Sequence, residues 1–169
     1  MGCQILMAES RTTQDRGGSL YRLMRARIVT KLLTISPSTY PTSMQTIFTP
    51  NAPTPAGHYS QAVVHQGIVY VAGQLPFNPK DPETLPNDPG EQTRNALNNV
   101  RTILEAAGSS LSQTLQMTIY VTDIDHWPAV NAAYADIMGE HRPARAVVPV
   151  RDLKSGCLLE VQVIAAKEI

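Results

Sequence analysis

Two side chains of opposite charge stand where strand-like sequence does not need them. Arg145 lies within Pro-Ala-Arg-Ala at the mouth of "HRPARAVVPV" (141–150), a run that otherwise reads as buried strand, and Glu160 follows fifteen residues later in "LLEVQVIAAK". A strand entering a core gains nothing from a permanent cation unless an anion meets it, because an unpaired buried charge is costly. In the last run Leu159, Val161, Val163 and Ala165 point one way by the two-residue period of a strand, while Glu160 and Gln162 point the other. If the last two strands are neighbours, Glu160 and Arg145 share one non-core surface of the sheet, each flanked by apolar residues that partly desolvate it. Spacing leaves two readings open. One is a salt bridge on an exposed sheet face. The other is a binding or catalytic site.

The elements that must carry these residues follow from periodicity. From Met44 the pattern alternates through "MQTIFTP", "SQAVVHQ" and "GIVYVAGQLP", with a tight hairpin at Gln66-Gly67. Asp88-Pro89-Gly90-Glu91 then has the form of a capping box with proline at the first helical position, and Ala96, Val100, Ile103, Leu104 and Ala107 repeat at helical spacing until Gly108. "TLQMTIYVTD" alternates with Leu115, Met117, Ile119 and Val121 on one face. After an expected cap at Asp125, Val130, Tyr134, Ile137 and Met138 mark a second helix ending at Gly139. The order is β-β-β-α-β-α-β-β, which predicts an α+β fold: one mixed sheet with both helices packed on one face.

Composition narrows the function classes. The chain has 169 residues, 43% hydrophobic and 17% charged, which suits one core with an appendage. Residues 1–43 hold Arg11, Arg16, Arg22, Arg25, Arg27 and Lys31 against Glu9 and Asp15, so the remainder carries eight Lys and Arg against twelve Asp and Glu. An acidic domain with dispersed cations disfavours nucleic-acid binding, which needs clustered ones. The extension reads as a disordered tail or a start-site artefact with Met44 as the true start, and less as an Arg-rich transit segment. Residues 44–169 are then the domain. No run reaches the roughly 18 apolar residues of a membrane span. Cys3 and Cys157 form no CxxC or Cys/His ligand spacing, and His58, His65, His126 and His141 share none, so no metal is expected. A cytoplasmic setting is expected, organellar if the extension is a transit segment.

"GHYSQA" (57–62), "AGQLP" (72–76), "VNAAY" (130–134), the Pro-Ala-Arg of Arg145 and the "EVQVIAA" of Glu160 occur in the order found in the Rid family, also called the YjgF family, and residues 44–169 resemble it. The resemblance implies a chorismate-mutase-like fold, a homotrimer and clefts between subunits. It also implies hydrolysis of 2-imino acids or enamines, released by pyridoxal-phosphate enzymes, to 2-oxo acids and ammonia, as a 2-iminobutanoate/2-iminopropanoate deaminase does. Residue by residue, Arg145 falls on the carboxylate-binding arginine and Glu160 on the carboxylate that positions water. Tyr59 and Asn131 match the aromatic and the amide that line the cleft, and Gly73 the glycine of the family's Ser-Gly-Gln turn. No cofactor is implied, since a protonated imine is already a good electrophile.

The chain departs from the family pattern at His58 (Pro in much of the family), Ala72 (Ser) and Val147 (Cys), and its loop into Pro-Ala-Arg is shorter. These changes bear on which imine fits, not on the Arg145–Glu160 pair. A competing expectation is a non-catalytic trimer that binds small carboxylates or acts as a chaperone. RNA cleavage, attributed to some relatives, has only the domain's few cations behind it.

Overall fold

The structure, a computed structural model, describes residues 43–167. The basic extension, as expected over residues 1–43, therefore lies outside the described residues apart from Ser43. The alternating runs form strands β1 (Gln45–Ile47), β2 (Ala62–His65), β3 (Ile68–Gln74), β4 (Thr114–Val121), β5 (Ala144–Pro149) and β6 (Leu159–Ala166), and the two helical runs form α1 (Pro89–Ala106) and α2 (Trp127–Met138). They make one six-stranded sheet in the order β1-β2-β3-β6-β4-β5. All neighbours are antiparallel except β4 and β5, which are parallel and joined by α2 as a crossover. The mixed sheet with two helices on one face is thus the one the periodicity predicts.

The core lies between that face and the helices. Leu97, Val100, Ile103 and Leu104 of α1 and Val130 of α2 pack against Val69, Met117, Ile119, Val121, Leu159 and Val161 of the sheet, all essentially excluded from water. Helix α1 begins as its sequence dictates: the Asp88 carboxylate accepts from the Glu91 amide at 2.8 Å, and Pro89 opens the first turn. It ends where Gly108 turns left-handed (φ +73°), so that the Ser109 amide donates to the Leu104 carbonyl and that of Gly108 to Glu105. The hairpin between β2 and β3 uses Gln66 and Gly67, both at positive φ, the backbone that a two-residue turn between twisted strands requires.

Three expectations are corrected. Asp125 does not cap α2: His126 precedes Trp127 and makes no side-chain cap bond, while the Asp123 carboxylate accepts from the Asp125 amide and caps the single 3-10 turn (Ile124–His126) that runs directly into Trp127. In β4 the register shifts between Thr114 and Gln116, so Thr114 turns into the core and Leu115 is thrown out, 49% exposed. Strict alternation through Leu115 misses this because one unpaired residue reverses the face of everything before it. Finally, the last two strands are not neighbours, since β4 lies between β5 and β6.

Asp88→Ala removes the acceptor for the first turn of α1 and is expected to destabilise the domain by about 1 kcal/mol. Urea unfolding with an unchanged denaturant slope checks this.

Candidate functional site

Arg145 stands on the edge strand β5, in register with Met117 of β4. Met117 is fully buried under the helices, so Arg145 also projects to the helix side, half-buried at the rim of the core. It meets one stripe of α2. Trp127, Asn131 and Tyr134 are spaced four and three residues apart, which stacks them on one helix face. The guanidinium carbon lies 4.3 Å from the ring centre of Tyr134 and 5.2 Å from that of Trp127, and Nη2 donates to Asn131 Oδ1 at 2.8 Å. Aromatic faces attract a cation without neutralising it. Among the described residues no carboxylate comes within 4.0 Å of Arg145. Burial pushes the Tyr134 phenol up, and the Arg145 charge opposes that shift.

Glu160 cannot be its partner within one chain. Glu160 is in register with Tyr120 of β4, whereas Arg145 is in register with Met117. Positions 117 and 120 are an odd number apart on a regular part of the strand, so they face opposite sides of the sheet. Arg145 is on the helix side and Glu160 on the open side. The expected shared surface is therefore overturned, along with the neighbouring of β5 and β6 on which it depended. The salt-bridge alternative falls with it.

On the open side a second group assembles. Glu160 Oε1 lies over Gly73 so closely that a Cβ built there would collide with it. The glycine leaves the space the carboxylate occupies. Burial, with no hydrogen-bond or ion-pair partner among the described residues, pushes the Glu160 carboxyl above the usual carboxylate range. Tyr59, half exposed, shares a cavity wall with Gly73 and is held by a hydrogen bond from the Ala56 amide to its hydroxyl at 3.2 Å. The sequence thus places five candidate residues, and the fold sorts them into two groups: Arg145 with Asn131, and Glu160 with Gly73 and Tyr59.

The residue that shapes the second group was quoted in the sequence but given no role. Gln61 is 1% exposed; its Oε1 accepts from the Thr49 amide at 2.6 Å, and its Nε2 donates to the carbonyls of Thr49 and Pro53 at 3.0 Å. One amide thereby ties the 49–53 loop beside Tyr59. Asn99 of α1 does the same for the chain leaving β3, donating to Leu75 and Phe77. Trp127 was also missed, though its spacing to Asn131 and Tyr134 was visible. His58 is exposed, while Ala72 and Val147 are half-buried. Cys157 is buried, and burial, then Glu160, pushes its thiol up to about 11, with Lys154 opposing. Such a thiol is a poor nucleophile at neutral pH. Among the described residues no group of three His, Cys, Asp or Glu is placed to hold a metal.

Comparison with known proteins gives the class. The sequence model of a family described as Endoribonuclease L-PSP matches residues 49–167. The chain is 43% identical over 124 residues to a RutC family protein of Pyrococcus horikoshii, covering 73% of this chain and 98% of the relative. It is 37% identical over 126 residues to the 2-iminobutanoate/2-iminopropanoate deaminase of Escherichia coli, with 73% and 98% covered. The solved structure of E. coli TdcF with bound serine matches with a TM-score of 0.70 at 34% identity, over 73% of this chain and 99% of that one. This chain belongs to the endoribonuclease L-PSP family, the YjgF or Rid family, and has its chorismate-mutase-like α+β fold.

Gly73→Ala is expected to drive the Glu160 carboxylate off its seat while leaving the fold intact, because the atom in the way ends a flexible side chain and is not backbone. A crystal structure of the variant with Glu160 unmoved, or a large loss of thermal stability, would show that Gly73 plays another part.

Proposed function

We propose that the protein hydrolyses reactive 2-imino acids, or their enamine tautomers, to 2-oxo acids and ammonia, in a cleft that takes Arg145 and Asn131 from one copy and Tyr59, Gly73 and Glu160 from another. One observation carries this reading: a guanidinium and a carboxylate, each without an ionic partner among the described residues, stand on opposite faces of one sheet. A single chain cannot bring them together; a second copy can. The open face favours such assembly, since Tyr70 of β3 and Val148 of β5 are 46% and 37% exposed on it. A homotrimer closes the arrangement with each copy giving both halves. The naming of the E. coli relative as an imine deaminase, and the serine bound to TdcF, a small carboxylate, support the same chemistry.

The side chains suit the steps. Arg145 holds the substrate carboxylate through its fork, and the rings of Trp127 and Tyr134 fix the guanidinium while leaving its charge for the substrate. Asn131 uses one N–H of Nη2 and so sets the plane of the fork. Water attacks the iminium carbon as Glu160 takes its proton, giving a carbinolamine. The same proton then passes to nitrogen, and Glu160 takes the hydroxyl proton as the C–N bond breaks, the C=O forms and ammonia leaves. Desolvation makes Glu160 a stronger base than an ordinary carboxylate. Gly73 leaves room beside it. Ala72 and Val147, where much of the family has a hydroxyl and a thiol, alter the fit of the imine.

Arg145→Lys is expected to lose most activity and most 2-oxo acid binding, because an ammonium keeps the charge but not the fork. Glu160→Gln is expected to keep binding and slow turnover by ~10²–10⁴-fold. Assays of hydrolysis alongside 2-oxobutanoate binding separate the two roles; wild-type binding with no turnover would point instead to a non-catalytic carboxylate-binding trimer. The base works only when ionised, so kcat/KM rises with pH through the raised Glu160 pKa. The acid limb therefore sits above the ordinary glutamate value of about 4.3, and Glu160→Gln abolishes it. A wild-type limb at or below that value would remove Glu160 from the role. Sedimentation is expected to give a trimer at micromolar concentration, and a monomer there would sink the composite cleft.

A further inference from the structure

Gly73 borders a cavity of about 310 Å³ whose wall also includes Tyr59 and Lys154. A second cavity of about 570 Å³ adjoins it, the two sharing Pro53, Thr54, Phe77 and Lys154. At about 30 Å³ per water the inner cavity alone has room for on the order of ten water molecules. A methyl or ethyl substituent leaves nearly all of that unfilled.

Lys154 stands at the junction, and the backbone holds it there. It opens the single 3-10 turn Lys154–Gly156, in which Ser155 (φ 56°) and Gly156 (φ 78°) are both left-handed, a conformation that costs Ser155 roughly 1–3 kcal/mol. The turn is pinned behind it. The Cys157 amide donates to the Lys154 carbonyl at 3.1 Å, the Cys157 side chain is buried, and the Leu158 amide donates to Gln92 Oε1 at 2.8 Å. Among the described residues no acid lies within ion-pair distance of Lys154. The other charges nearby are Glu160, Arg151 and Asp152, which line a neighbouring cavity that shares Gly73 with the inner one but not Lys154, and Glu83 on the wall of the outer cavity only.

We infer that Lys154 reads a second anionic group on the substrate, so that the imines this protein prefers are 2-imino dicarboxylates, whose side chain enters the inner cavity and ends on the Lys154 ammonium. The inference rests on the hydrolase reading above and names its substrate class. A main-chain carboxylate on Arg145 and a distal one on Lys154 leave the reacting carbon beside Glu160 and Gly73. Glu83 bounds the length, since a tail that passes Lys154 meets a like charge. The reaction balances: the imino dicarboxylate and one water give the 2-oxo dicarboxylate and ammonium, with no oxidant or reductant.

The test compares imines made in situ by amino-acid oxidases from glutamate, from norvaline, of equal chain length but neutral, and from arginine. Wild type is expected to show kcat/KM at least tenfold higher for the glutamate-derived imine than for the norvaline-derived one, with a ratio that falls as salt screens an exposed charge. Lys154→Met is expected to bring that ratio close to one, chiefly through KM, and Lys154→Glu to turn the preference toward the arginine-derived imine. Equal rates on all three imines in wild type, or a ratio untouched in Lys154→Met, would overturn the inference while leaving the hydrolase reading in place. Should no imine be hydrolysed, the hydrolase reading fails, and calorimetric binding of 2-oxoglutarate against 2-oxopentanoate still decides the role of Lys154: tighter 2-oxoglutarate binding that is lost in Lys154→Met supports it, and equal binding overturns it.

Discussion

The position of β4 between β5 and β6 governs the chemistry of this molecule. A strand presents alternate residues to opposite faces, so whatever is in register with Met117 goes under the helices and whatever is in register with Tyr120 goes to the open side. Arg145 takes the first relation and Glu160 the second. The two groups proposed to act on a small acid are thereby held on opposite faces of the sheet, and neither can be quenched by the other in the folded chain. Separation keeps both available: direct pairing would spend the cation on the anion.

The groups that touch each of them most closely carry no charge. Arg145 is held by two aromatic faces and one amide oxygen from a single stripe of α2. Glu160 is seated over a glycine and desolvated. Partly burying an ionisable group without a counter-ion is destabilising in itself, and the energy that tolerates it comes from the apolar layer between α1, α2 and the sheet. The buried amides of Gln61, Gln92 and Asn99 extend that rigidity to loops with no core of their own, by satisfying carbonyl and amide groups that would otherwise lack partners.

Local signals in the sequence settled the elements: the two-residue period of each strand, the Asp88 cap and Pro89 start of α1, the left-handed Gly108 that ends it, and the Gln66-Gly67 turn are each decided within a few residues by backbone sterics and hydrogen bonding. Arg145 and Glu160 were equally visible as candidates, because a charge in an apolar pattern needs a reason, whereas Tyr59, Gly73 and Asn131 stood out only through the family resemblance. Strand order was not, since β5 and β6 follow one another in the chain and only long-range packing inserts β4 between them. Nor was the bulge at Leu115, the lack of an ionic partner for either charge among the described residues, the stripe of Trp127, Asn131 and Tyr134 against the guanidinium, or the meeting of Lys154 and Gly73 on one cavity wall. These depend on contacts between segments distant in sequence, where register and sheet order, not residue type, decide which side chains meet.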